Sequence, residues 1–418
     1  MSTRPPIDPA LGPDDNSSMP TNTNDYPRLR EGMGASPDGD AFVLYDRNRI
    51  AGVPIAISRA EVEAVQLFNG QRKIRDVPLA VRQQTGLTIA IDEVIALVAR
   101  LDAGLFLDND TFRNYLNGPV RQPSCIGCYP PEPAEIHAQM QSLFTAEGGP
   151  GLPRANASKA RLQAVLVPHM DYARGNVTYG YGFKELAERT DAKLFFVIAT
   201  SHYSSERFTL TRMNFQTPLG IVETDRASID RIVANYGEGL FADPVAHLPE
   251  HSIELEVLVL QHIFPDRKVR IVPLLVGSFQ DCINGQTSPG EAADIARMIA
   301  ALRAAEAEAG EPVCYIISGD LAHIGPKFRD PSPVSEPQLS QSHSLDMAIL
   351  KHLETADAEC YFEEIAVEGD ARRICGLPPT YLALAAAQPK RGRVLHYQQY
   401  VEANGYESVS FAAVAFED

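Results

Sequence analysis

Leu162-Gln163-Ala164-Val165-Leu166-Val167, followed at once by Pro168-His169-Met170-Asp171-Tyr172, is the stretch that decides the fold. A short apolar run of this length has the character of a strand buried inside a parallel sheet. In open α/β sheets the carboxyl ends of the strands line the ligand crevice. His169 therefore falls where such a crevice would lie.

The arrangement recurs along the chain. Leu194–Ala199 leads into Thr200-Ser201-His202, and Val313–Ser318 leads into Gly319-Asp320-Leu321-Ala322-His323. Val269–Leu275 is a further strand, and Val394–Tyr400 and Ser408–Phe416 are late ones, the last alternating as an edge hairpin would. Helical patterns at Tyr179–Arg189, Ser252–Phe264, Gly290–Glu308 and Ser342–Leu353 fall between them. Strands alternating with helices predict an α/β layered domain with a mainly parallel sheet over residues 161–418.

Upstream the pattern changes. Residues 1–38 are polar and read as a disordered tail. Residues 39–117 read as a small α+β unit. It has short strands at Phe42–Tyr45 and Ile55–Ile57, and a helix from a Ser58/Glu61 capping box to Phe68. Amphipathic helices follow over Asp76–Gln84 and Ile91–Leu101, then a turn into a closing strand over Asp102–Leu107. Residues 118–160 read as a Pro-rich linker whose one helix presents Ile136, Met140, Leu143 and Phe144 as a docking face.

Composition narrows the classes. The net charge of −17, with no dense Lys/Arg cluster, argues against a nucleic-acid partner. No apolar run spans a bilayer. The first residues lack the apolar core of a secretory signal, so a cytoplasmic location is expected. Six cysteines are too few for a disulfide scaffold, and reduced thiols are expected. Cys125-Ile126-Gly127-Cys128 is a lone CxxC and reads as a linker feature, with a redox or metal role as the alternative.

The chemistry concentrates in five clusters, the other two being Glu250-His251-Ser252-Ile253-Glu254-Leu255 and Ile374-Cys375-Gly376. His169 and His202 each follow a strand run with almost no spacer, and imidazole is the commonest metal ligand at neutral pH. The Gly376-Leu377-Pro378-Pro379 turn presents Cys375 as a third ligand. Two imidazoles and a thiolate suit iron, copper or zinc rather than magnesium or calcium. His323 fits a general acid/base, with Asp320 either orienting it or capping a helix. His251 precedes an amphipathic helix on which Glu254 reads as solvated. No phosphate-binding glycine loop and no nucleophile elbow is present.

As a set these phrases resemble the Memo family, the B component of the AmmeMemoRadiSam system. Further matches are Thr217-Pro218-Leu219-Gly220, Glu223-Thr224-Asp225 and Ile271-Val272-Pro273. That family is similar in fold to class III extradiol dioxygenases. The resemblance implies His169, His202 and Cys375 as metal ligands, His323 as catalytic base, and His251 and Asp320 as pocket residues. Cys375 stands where the dioxygenases have a carboxylate, which puts ordinary ring cleavage in doubt. Residues 39–117, through Leu67-Phe68-Asn69-Gly70-Gln71-Arg72-Lys73-Ile74, resemble the PqqD-like winged-helix domains, implying a peptide or protein partner.

Three functions follow as expectations: a mononuclear iron (or copper) oxidoreductase acting on a small molecule, a non-catalytic metal- or peptide-binding scaffold, and a zinc-dependent hydrolase.

Overall fold

The computed structural model describes residues 22–39, 41–48, 50, 51, 53–125, 127–154 and 161–418, and the chain divides at Asn117/Gly118 into two compact units. The first unit contains β1 (Met33–Asp38), β2 (Ala41–Asp46) and β3 (Ile55–Ile57), paired antiparallel in the order β1-β2-β3. Four helices accompany them: α1 (Arg59–Gln66), α2 (Val77–Thr85), α3 (Ile91–Ala103) and α4 (Asp110–Leu116). The Ser58/Glu61 capping box starts α1 as its spacing predicts, because each side chain satisfies a backbone N–H that the helix start leaves free.

Two expectations change here. The tail ends earlier than residue 38: Met33–Asp38 is a strand, and Arg28 and Leu29 bridge to Asn69 and Leu107. Its small, mostly exposed side chains concealed it, since only Gly34 of that strand is buried and the pairing is carried by the backbone. The remainder of the expected tail, residues 1–21, lies outside the described residues. The expected closing strand over Asp102–Leu107 shrinks to the single Leu29–Leu107 bridge, and α4 follows it.

The second unit is the α/β layered domain. Its strands are β4 (Val120–Arg121), β5 (Leu162–Val167), β6 (Leu194–Thr200), β7 (Phe208–Leu210), β8 (Asn214–Thr217), β9 (Gly220–Thr224), β10 (Arg270–Val276), β11 (Val313–Ser318), β12 (His323–Ile324), β13 (Arg391–Val401) and β14 (Ser408–Glu417). They form one sheet of order β12-β14-β5-β11-β6-β10-β9-β8-β4, with β13 beside β14 and β7 beside β10. The central run β5-β11-β6-β10-β9 is parallel throughout.

Successive residues of each central strand face opposite ways, as a period of two requires. Ala164, Leu166, Phe196, Ile198, Tyr315 and Ile317 enter one core, and Val165, Val167, Phe195, Val197, Cys314 and Ile316 the other. The second core is covered by α5 (Pro133–Thr145), α6 (Tyr172–Arg189) and α8 (Glu254–Ile263). The first is covered by α7 (Arg226–Tyr236), α9 (Gln280–Gly285), α10 (Ala293–Ala307), α11 (Glu336–Glu354), α12 (Ala358–Val367) and α13 (Leu377–Ala387).

Residues 118–160 are not a linker, as far as they are described. β4 joins the sheet beside β8, and Ile136, Met140, Leu143 and Phe144 of α5 are buried in the second core. Nor is β14 an edge. It lies between β5 and β13 and is buried along its whole length, because its small residues (Ala412, Ala413, Ala415) admit helices on both faces. Cys125 and Cys128 are joined by a disulfide rather than reduced, while Cys282, Cys314, Cys360 and Cys375 are free thiols.

Candidate metal centre

Register builds the site. Ser318 of β11 pairs with Val167 of β5 on one side and Ala199 of β6 on the other. Three strands therefore end level, and the residues after them emerge side by side. Pro168 offers no N–H and cannot extend the β5 ladder. His169 follows it, Asp320 follows Gly319, and His202 follows Ser201.

Cys375 arrives from the turn before α13. A Cβ on Gly319 would stand 2.5 Å from Cα of Gly376, so two glycines let these backbones touch. Gly376 N–H then donates to the Asp320 carbonyl at 2.9 Å, and Thr200 Oγ1 donates to the Cys375 carbonyl at 2.8 Å. Ser252 Oγ donates to the Thr200 carbonyl at 2.9 Å, tying the approach to α8 to the same rim.

All six residues singled out in the sequence meet here. Ligand-type atoms of His169, His202 and Cys375 lie within 4.8 Å of one another, and so do those of Asp320, His323 and Cys375. His169 Nε2 is 3.3 Å from Cys375 Sγ and 3.6 Å from Asp320 Oδ2. The His251 ring centroid is 4.9 Å from that of His202 and 5.5 Å from that of His169.

Each imidazole has its Nδ1 engaged. Ser318 Oγ donates to the Ser252 carbonyl at 2.6 Å, so it accepts from His169 Nδ1 at 3.3 Å. His202 Nδ1 donates to Glu250 Oε1 at 3.0 Å, and His251 Nδ1 lies 3.2 Å from the same oxygen. His323 Nδ1 donates to the carbonyls of Leu321 (3.0 Å) and Arg373 (2.9 Å). Holding one ring nitrogen fixes the tautomer and leaves Nε2 as the site for a metal or a moving proton.

Electrostatics divides the group. Burial, then the neighbouring His202 and His251, holds His169 well below the ordinary histidine range, so it is neutral. Burial likewise brings His323 down to about 4. Burial alone would do the same to His202, but the Glu250 carboxylate and the Cys375 sulfur together outweigh it and hold His202 well above its ordinary value. Burial raises the Cys375 thiol, opposed in part by His202. Asp320, 2% exposed, is pushed up to about 7 by burial, and its Oδ1 accepts the His169 backbone N–H at 3.2 Å. It caps no helix.

Glu250 had no role in the sequence reading, yet it organises the site. Its oxygens accept from the backbone N–H groups of His202 (2.8 Å), His251 (2.9 Å) and Ser252 (3.0 Å) as well as from imidazole. The adjacent histidine was the available signal; a three-residue N–H nest is set by tertiary folding. Glu254 corrects the sequence reading. It is not solvated but fully buried, ion-paired with Arg121 and accepting from Tyr129 Oη. Its partner lies 133 positions upstream, beyond the reach of a helical-face argument.

A family profile for Memo-like proteins matches residues 121–415. The chain belongs to the Memo family. Among Memo relatives, a MEMO1 family protein of Aquifex aeolicus is 25% identical over 399 residues, 91% of this chain and 97% of its own. With under a tenth of this chain left uncovered, that similarity extends into the first unit. A MEMO1 family protein of Methanopyrus kandleri is 27% identical over 306 residues, 71% of this chain and 98% of its own. The Memo match begins at Arg121, the residue of β4 that pairs with Glu254, so the family's extent takes in that residue and the whole of α5. Among the described residues no helix is long and apolar enough to cross a membrane.

Proposed function

We propose that this Memo-family chain holds one transition-metal ion on His169, His202 and Cys375, and that it is a redox enzyme of dioxygenase-like type acting on a small molecule. Iron is the first assignment, copper and zinc the alternatives. The observation that carries the reading is the convergence of two imidazoles and a thiol, with His169 Nε2 and Cys375 Sγ 3.3 Å apart. Bonds of roughly 2.1 Å to nitrogen and 2.3 Å to sulfur place two ligands of one ion roughly 3.1–3.6 Å apart, so the spacing fits. The donor set fits too, since a thiolate with imidazoles selects iron, copper or zinc over hard cations.

A bound ion of this kind supplies Lewis-acid polarisation and, for iron or copper, electron transfer. The chain's own residues do the rest. Glu250 holds His202 and His251 in place. His323, neutral and with Nδ1–H committed to two carbonyls, presents Nε2 as a base. Asp320, at about 7, exchanges a proton near neutrality and serves as its acidic counterpart. His251 borders the pocket as a fourth imidazole.

Anaerobic Fe(II) titration of the wild type, His169→Ala and Cys375→Ser tests the assignment. The wild type is expected to take up one ion and both variants to lose it. Equal uptake by all three overturns the proposal. Metal-dependent turnover lost in His323→Gln, with metal uptake retained, supports an enzyme rather than a non-catalytic scaffold. Activity with zinc alone would favour a hydrolase.

A further inference from the structure

The CxxC segment lies outside the pocket, but hydrogen bonds connect the two. Cys125 N–H donates to Glu254 Oε1 at 3.2 Å, and Ser124 donates to Glu254 Oε2 through N–H (2.9 Å) and Oγ (3.1 Å). Tyr129 Oη donates to the same carboxylate from the far side of the segment. Glu254 is the first residue of α8. Its ion-pair partner Arg121 also donates to the carbonyls of His247 (2.8 Å), Leu248 (3.3 Å) and Glu250 (2.5 Å). Glu250 in turn holds His202 and His251.

Two features set this disulfide apart from a structural staple. It closes a very short ring, which removes little entropy from the unfolded chain. Both cysteines are also partly accessible. Gly127 between them is exposed at a φ of +100°, and apart from its chain neighbours no described atom lies within 4 Å of where a Cβ would stand. An exchanging thiol or disulfide can therefore approach. By contrast Cys314 is buried, its thiol pushed up to about 12 by burial, and inert to exchange.

We propose that Cys125 and Cys128 form a reversible dithiol–disulfide pair whose oxidation state sets how firmly the first turn of α8 and the Glu250 clamp are held. The oxidant is a low-molecular-weight disulfide. One cysteine thiolate attacks it, forming a mixed disulfide and expelling one thiolate. The second cysteine attacks the protein sulfur, closes the Cys125–Cys128 bond and expels the other. Two protein thiols are oxidised, one external disulfide becomes two thiols, and the cysteine protons pass to the released thiolates or to water. The consequence for the metal pocket rests on the reading above; the exchange and the ordering of α8 do not.

The test uses the full chain in the presence of a chelator, so that it is independent of metal binding. The protein is equilibrated in glutathione buffers of graded ratio, alkylated, and digested for mass spectrometry. Label on Cys125 and Cys128 is expected to rise together through intermediate values as the buffer becomes reducing, and to reverse on reoxidation. Label that stays complete, or absent, across the whole series overturns the pair as a redox couple. Hydrogen exchange is then measured over residues 250–258 in both states. The reduced protein is expected to exchange faster, on the order of threefold. Cys125→Ser/Cys128→Ser is expected to show the faster rate under every redox condition. Equal rates in oxidised and reduced wild type overturn the link to α8.

Discussion

Replacing Asp320 by Asn in metal-free protein is expected to stabilise it at alkaline pH, a counterintuitive outcome for a pocket acid. Burial raises this carboxyl from 3.8 to about 7. A raised folded-state value means that the folded protein holds the proton more tightly than the unfolded chain. The associated stability is complete below pH 4 and is lost as pH rises through 7. The difference of about three pH units, at about 1.4 kcal/mol each, amounts to about 4 kcal/mol at pH 8. Asn carries no charge to bury, and its amide oxygen still accepts the His169 N–H that Asp320 Oδ1 accepts now. The second unit spans Gly118–Asp418. For a domain of that size about 4 kcal/mol corresponds to roughly 6 °C in melting temperature. The assay is calorimetry of wild type and Asp320→Asn in chelator at pH 5 and pH 8. The variant's advantage is expected to be larger at pH 8 than at pH 5. A variant that melts below wild type at pH 8, or an advantage that shrinks as pH rises, refutes the assignment of a buried, reluctantly ionised carboxyl.

Other outcomes follow from the same structure. Metal uptake at pH 7 is expected to release about two protons per ion, one from the Cys375 thiol and one from His202, whose pKa values are both raised; pH-stat titration in weakly buffered solution counts them, and zero release contradicts the ligand set. Arg121→Ala leaves Glu254 charged and unpaired in a dry site and is expected to cost about 3–5 kcal/mol, read from urea unfolding. A fragment starting at Gly118 is expected to fold cooperatively, whereas one starting at Arg161 lacks β4, Arg121 and α5 and is expected to lose its sharp thermal transition, as followed by near-ultraviolet circular dichroism. Met140→Ala, which empties a fully buried position of α5, is expected to cost about 2–5 kcal/mol by urea unfolding, against almost nothing for an exposed helix position.

The apolar runs at Leu162, Leu194 and Val313, each with a polar or histidine cluster after it, determined by themselves that this chain builds a layered α/β domain with histidine and acidic side chains at its strand ends. Local information suffices for that, because burial on both faces demands unbroken apolar sequence. The six pocket residues were legible for the same reason, lying at punctuation between elements. What only the tertiary structure decided is adjacency. β11, some 150 positions after β5, inserts between β5 and β6, and this levels Val167, Ser318 and Ala199. Contact between Gly319 and Gly376 then admits Cys375. The roles of Glu250 and Glu254 were hidden because a carboxylate looks solvated until distant donors surround it, and those donors come from residues 121–129, 202 and 252. The alternation of β14 resembled an edge because small side chains do not show in sequence that both faces are covered. Strand order and the pairing of distant charges depend on long-range packing, which no local pattern encodes.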